Sequence, residues 1–177
     1  WSGVGGSPES VVRAAGYRMP LVLAIIGGDP RRFLPYIDLY QRALAQFGSE
    51  PLPIAVHSHG HVAESDAEAR EELWLPWSQM RDRIGAERGW GKTSRAEFDR
   101  EIASGSLYVG APDTVARKIV ATARDLGLSR FDIKYSAGEL SHETMLRSIG
   151  LFGREVMPRV REMSRPDGGQ TPSATRT

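Results

Sequence analysis

Cysteine is absent from the 177-residue chain, which excludes a disulfide framework, a thiolate metal site and a Cys nucleophile. Long hydrophobic runs are absent too. The longest, Leu21 to Ile26, falls far short of the ~20 residues a membrane-spanning helix needs, and no charged-then-apolar leader precedes it. A soluble, cytoplasmic protein with no membrane partner is expected. Charge of one sign is missing as well: the net charge is +1, and Arg alternates with Glu and Asp instead of forming basic blocks, so no nucleic-acid partner is expected. Methionine is missing from the first position. Trp1 stands there and a glycine turn follows before any complete strand, so the chain is expected to begin in the middle of something longer.

What is present alternates between strand and helix signals. Residues 1 to 16 read as a strand end, a glycine turn and a capped helix start. Ser7 is placed as N-cap, Pro8 at the first helical position, and Glu9 in the first turn where the helix dipole favours a negative charge. Gly5 and Gly6 let backbone approach a ligand, and free N–H groups at the helix start can hold a phosphate; an ordinary βα turn would look the same. Pro20 to Ile26 is a continuous apolar run, as in a parallel strand buried on both faces. Gly27-Gly28-Asp29-Pro30 repeats the device, and the next helix carries Phe33, Ile37, Tyr40, Leu44 and Phe47 on one stripe before Gly48 stops it. Gly110 to Arg117 echoes Gly6 to Arg13, with Ala111 in place of Ser7, and therefore lacks the hydroxyl.

Further strands are expected at Pro53 to Ser58 and Phe131 to Ser136, with a brief extended piece at Leu107 to Gly110. Helices are expected from Ser65-Asp66 to about Glu87, with Pro76 kinking or interrupting it, and then at 93–103, 112–126 and from Ser141 to near Met163, kinked at Pro158. The polar segment 164–177 reads as a disordered tail.

The strand faces separate two architectures. Ile54 and Val56 alternate with Ala55, His57 and His59, and Phe131, Ile133 and Tyr135 alternate with Asp132, Lys134 and Ser136. One apolar and one polar face per strand suits a barrel with a polar lumen; a doubly wound sheet needs both faces apolar. A (β/α)8 barrel takes roughly 250 residues. The fold class is therefore α/β, the C-terminal half of a TIM-type barrel over residues 1–163, with a helical insertion at about 64–110 before the last βα unit.

Barrel active sites lie at the C-terminal ends of strands, here Gly5-Gly6-Ser7, Ile26-Gly27-Gly28, His57 to His61, and Lys134 to Gly138. His57 and His59, alternate on one strand, could donate protons, hydrogen-bond an aromatic cofactor, or bind a metal. Lys134 faces the lumen with Asp132 as its expected partner, either as a structural ion pair or to hold substrate. Asp29 and Arg31 are explained by a capped helix start, and His142 by a surface position. Trp74, Trp77 and Trp90 either pack the insertion or close over a ligand.

Gly3 to Ala14, Leu23 to Gly28, His57 to Ala69 and Tyr108 to Ala116 together resemble, in order and spacing, the C-terminal half of a luciferase-like flavin-dependent oxidoreductase. The resemblance implies a (β/α)8 barrel, FMN or the deazaflavin F420 as a non-covalent cofactor, and hydride transfer followed by oxygen activation or reduction of an organic substrate. It makes Gly5, Gly6 and Ser7 the phosphate loop, brings Ile26, Gly27 and Gly28 to the ring system or its chain, and turns His57 and His59 to the reaction pocket; Lys134, from its lumen-facing position, joins them as a candidate catalytic residue, and no metal is expected. Ala111, where relatives often carry Ser or Thr, departs from the pattern. The missing N-terminal half-barrel would be the principal partner, in a full-length form that could be a homodimer, and without it the chain is expected to be inactive. Two alternatives stand beside this reading: a metal-dependent barrel hydrolase using His57 and His59, and a non-catalytic interaction remnant.

Overall fold

Five parallel strands organise residues 1–165, which are those the computed structural model describes; from residue 166 onward the expected disordered tail lies outside them. The strands are β1 (Ser2–Val4), β2 (Leu21–Ala24), β3 (Ile54–Val62), β4 (Tyr108–Gly110) and β5 (Arg130–Lys134). β1 pairs with β2, and β2 with the start of β3. β3 is shared further along: Ala55 to His59 lie beside Arg130 to Lys134 of β5, and Gly60 to Val62 beside β4. Paired strands are consecutive in sequence except β3 and β5, between which β4 intervenes.

Helix α1 (Pro8–Gly16) follows β1, and a 3-10 turn (Pro30–Phe33) leads into α2 (Leu34–Gln46) after β2. Ser7 caps α1, accepting from the Ser10 N–H, and Gly6 before it sits at φ 110°. That conformation is nearly closed to other residues. The stripe of α2 packs as expected through Ile37, Tyr40 and Leu44, but Phe47 stays largely exposed and Phe33 belongs to the 3-10 turn. β2 departs from expectation. Leu21, Leu23 and Ile25 are buried among the helices, whereas Val22 and Ala24 are half-buried and Ile26 is 63% exposed; only the helix-facing side of this strand has a layer to pack on.

The insertion consists of α3 (Asp66–Arg88) and α4 (Arg95–Ala103), with β4 behind them. Contrary to expectation, α3 runs without interruption through Pro76. Leu73 and Trp77, on either side of that proline, are buried in one cluster with Phe98 and Leu107, so packing holds the helix where the local sequence would break it. Helix α5 (Pro112–Leu126) carries its apolar stripe, Val115, Ala116 and Ile119, against Tyr108 and Val62. The last helix is α6 (His142–Leu151), a π turn (Phe152–Val156) and α7 (Met157–Met163). The π turn ends two residues before Pro158, whose missing N–H would leave an α-helical carbonyl unpaired.

Candidate active site

A cavity of about 490 Å³ opens where β1, β2 and β3 end, roofed by the second half of α3. This lies within the ~300–1,000 Å³ typical of small-molecule sites. Gly5, Gly6, Ile26 and Gly27 line its floor with His59, as the sequence suggested. A methyl group added at Gly5 or Gly27 would meet nothing within 4 Å, so the backbone there faces open space that a ligand can fill. Ser7 stands beside this floor, but its hydroxyl donates to Glu9 Oε2 at 2.6 Å. The carboxylate that the dipole favours in the first turn already uses the cap.

Gly28 does not join the site. Its N–H donates to both carboxylate oxygens of Glu101 at 3.0 Å, a contact between the second glycine turn and α4 that a local reading cannot foresee. Asp29 and Arg31 form their own ion pair at 2.6 Å, with Asp29 capping the 3-10 turn, and His142 is exposed.

On β3 the odd-numbered residues share the concave face, and register sets His57 opposite Asp132 and His59 opposite Lys134. The sheet thus gathers His57, His59 and Lys134, although only His59 lines the cavity. Its ring is 8% exposed and its Nε2 has no partner. Burial, aided by the charges of Lys134 and His57, pushes this imidazole down to about 4, so it is neutral at pH 7. The expected Asp132–Lys134 pair does not form. Asp132 accepts instead from Arg130 Nε at 2.8 Å, because Arg130 lies two residues away on the same strand face with a guanidinium that reaches the carboxylate. One further histidine, His61, is buried against Glu72 at 2.7 Å, and Glu72 also binds Arg147; this group ties β3 to α3 and α6. Among the described residues no three His, Cys, Asp or Glu side chains gather as a metal site requires.

Of the cavity wall that the insertion supplies, Trp77 and Trp90 were candidates from sequence, whereas Arg81, Ile84 and Arg88 were missed. Trp77, Arg81, Ile84 and Arg88 line it from α3, and Trp90 from the turn beyond. Their spacing of four, three and four residues is a helical stripe, a signal that was present but obscured by the heavy charge of this helix. Trp74 packs on Phe98 instead, with ring centroids 5.4 Å apart.

The family model for luciferase-like monooxygenases matches residues 1–130. The chain belongs to that family. Solved structures agree in fold with this luciferase-like chain. The monooxygenase RslO1 from Streptomyces bottropensis is 24% identical over 88% of this chain and 46% of that chain, with a TM-score of 0.69. The oxygenating constituent of 3,6-diketocamphane monooxygenase from Pseudomonas putida, in complex with FMN, is 20% identical over 90% and 47%, with a TM-score of 0.70. The coenzyme F420-dependent tetrahydromethanopterin reductase from Methanopyrus kandleri is 16% identical over 89% and 50%, with a TM-score of 0.58. The luciferase-like chain spans about half the length of these structures. No curated protein matches it. Among the described residues no helix is long and apolar enough to cross a membrane.

Proposed function

We propose that the chain is the C-terminal half of a (β/α)8 barrel, residues 1–163, that binds FMN or F420 and carries out flavin-dependent oxidoreduction of an organic substrate. The observation that carries this reading is the cavity at the strand ends, where bare glycine backbone and an unpartnered, neutral His59 face the same space. The strand order supports the barrel: successive strands add in one direction, as closure needs, without the reversal of a doubly wound sheet.

Gly5, Gly6 and Ser7 hold the phosphate at the start of α1. Ile26 and Gly27 pack on the ring system. His59 stays neutral beside them and leaves its Nε2 to the substrate. His57 and Lys134 continue the polar concave face and complete the candidate catalytic set. A bound flavin supplies hydride acceptance and, in monooxygenases, oxygen activation. The chain supplies orientation, and the α3 roof excludes water. The missing half-barrel supplies the remaining wall.

Fluorescence titration with FMN, F420 and riboflavin, on this chain and on the longest polypeptide its gene encodes, tests the reading. FMN or F420 is expected to bind, with FMN at least tenfold tighter than riboflavin because of the phosphate contact. Failure of both cofactors to bind either polypeptide overturns it.

A further inference from the structure

We propose that the cavity-facing stripe of α3 recognises the acidic group of a planar aromatic substrate; this rests on the oxidoreductase reading for its metabolic sense but not for its test. The Arg81 guanidinium lies 5.5 Å from the Trp77 ring centroid and 5.4 Å from that of Trp90, and Arg88 lies 5.3 Å from Trp90. A guanidinium held by its faces against two rings keeps its N–H edge free for a carboxylate. Among the described residues Arg81 has one ion-pair partner, Glu97, at 4.0 Å, which is beyond hydrogen-bonding distance. Arg88 and Arg32 have no carboxylate partner among the described residues.

The cavity wall as a whole has one sign of charge. Arg32, Arg81 and Arg88 line it, no Asp or Glu does, and its histidine is neutral. Arginines at a cavity mouth attract anions. The flavin phosphate already has the glycine turn, so the arginines of α3, across the cavity from that floor, are left for a second anion. Indole surfaces beside them select a flat apolar body. His59 Nε2, unpartnered and more than nine-tenths buried on the opposite wall, gives such a molecule a polar contact at its other end. The class is thus an aromatic carboxylic acid or acidic phenol.

Isothermal titration calorimetry with 2-naphthoate and its neutral isostere 2-naphthamide reads this directly on the wild-type chain. The acid is expected to bind at least about tenfold tighter than the amide, as a charge-assisted contact warrants. Arg81→Met should abolish that preference, Arg81→Lys should restore part of it, and FMN affinity should be unchanged in both. Arg88→Met, at the exposed end of α3, gives an independent reading and should weaken naphthoate several-fold. Equal binding of acid and amide overturns the proposal, as does failure of the acid to bind. A tenfold loss of FMN in Arg81→Met with the naphthoate preference intact also overturns it and assigns these arginines to the cofactor phosphate. Because naphthoate selectivity needs no flavin, failure of cofactor binding would leave this result separately readable.

Discussion

His59 shows how one buried atom sets a pH dependence. Its folded value of about 4 lies below the ~6.5 of a free imidazole, so the unfolded chain binds more protons between these values. The stabilisation from keeping the ring neutral is present above pH 6.5 and is lost as pH falls toward 4. Between pH 7 and pH 5 this amounts to about 2 kcal/mol. Urea melts at both pH values should show that loss in the wild type and a flatter dependence in His59→Gln. Glu9 makes a second prediction. Its carboxylate is held below the usual carboxylate range, first by the Ser7 hydroxyl and then by backbone, and it competes with any anion at the start of α1. Glu9→Gln should therefore tighten FMN binding two- to fivefold by fluorescence titration, about the size of an exposed helix-dipole contact. Much of the floor of the site was legible because glycine turns, caps and alternate histidines are local patterns. The partners of Gly28 and Asp132 were not, since side chains of matching charge compete for each group and only the fold decides among them.

Two helices depend on distant contacts that no window of sequence contains. α3 passes over Gly138, at φ 58°, where an added methyl group would come within 2.1 Å of the Pro76 carbonyl oxygen. Gly138→Ala should destabilise the protein by about 1–3 kcal/mol from overpacking and backbone strain, measured by chemical denaturation, and should loosen the cavity roof. α4 ends on the Lys118 ammonium, which donates to the carbonyls of Glu101, Ile102 and Leu107 at 3.2, 2.5 and 2.7 Å. Burial pushes this lysine down to about 8 despite the Glu101 charge. Lys118→Met strips those carbonyls of their donor and should cost about 1–3 kcal/mol, with amide exchange rising first in the turn after α4. Helix starts were read correctly wherever Ser7, Ser65, Ser94 or Ser141 supplied a hydroxyl, because a cap is a short-range device. α3 continues through Pro76 without interruption because burial of Leu73 and Trp77 outweighs one lost hydrogen bond.

The sheet as a whole has three strands, β1, β4 and β5, each paired along one side only among the described residues. Its concave face shows half-buried Val22, Ala24, His57 and Lys134. Such edges and such a face promote association. Sedimentation of this chain should show concentration-dependent self-association at micromolar levels, relieved when it is co-expressed with the polypeptide that supplies the other half-barrel; a monodisperse monomer would contradict the half-barrel reading. The helix-facing and polar faces of β3 and β5 were legible from alternation, whereas β2, read as buried on both faces, is buried on one only. The extent of β3 was not: it continues to Val62, past the expected Ser58, because β4 and β5 take successive parts of it.

That division of β3 has a consequence for how such a protein can diversify. The residues that register with β5 carry His57 and His59, and those that register with β4 anchor the return from the insertion. Everything between Ala63 and Leu107 is a loop closed at both ends by one strand, so its length and composition can drift under selection while the histidines keep their places. On the reading proposed above, the wall that α3 gives the cavity can thereby be rewritten without disturbing the glycine floor at the ends of β1 and β2.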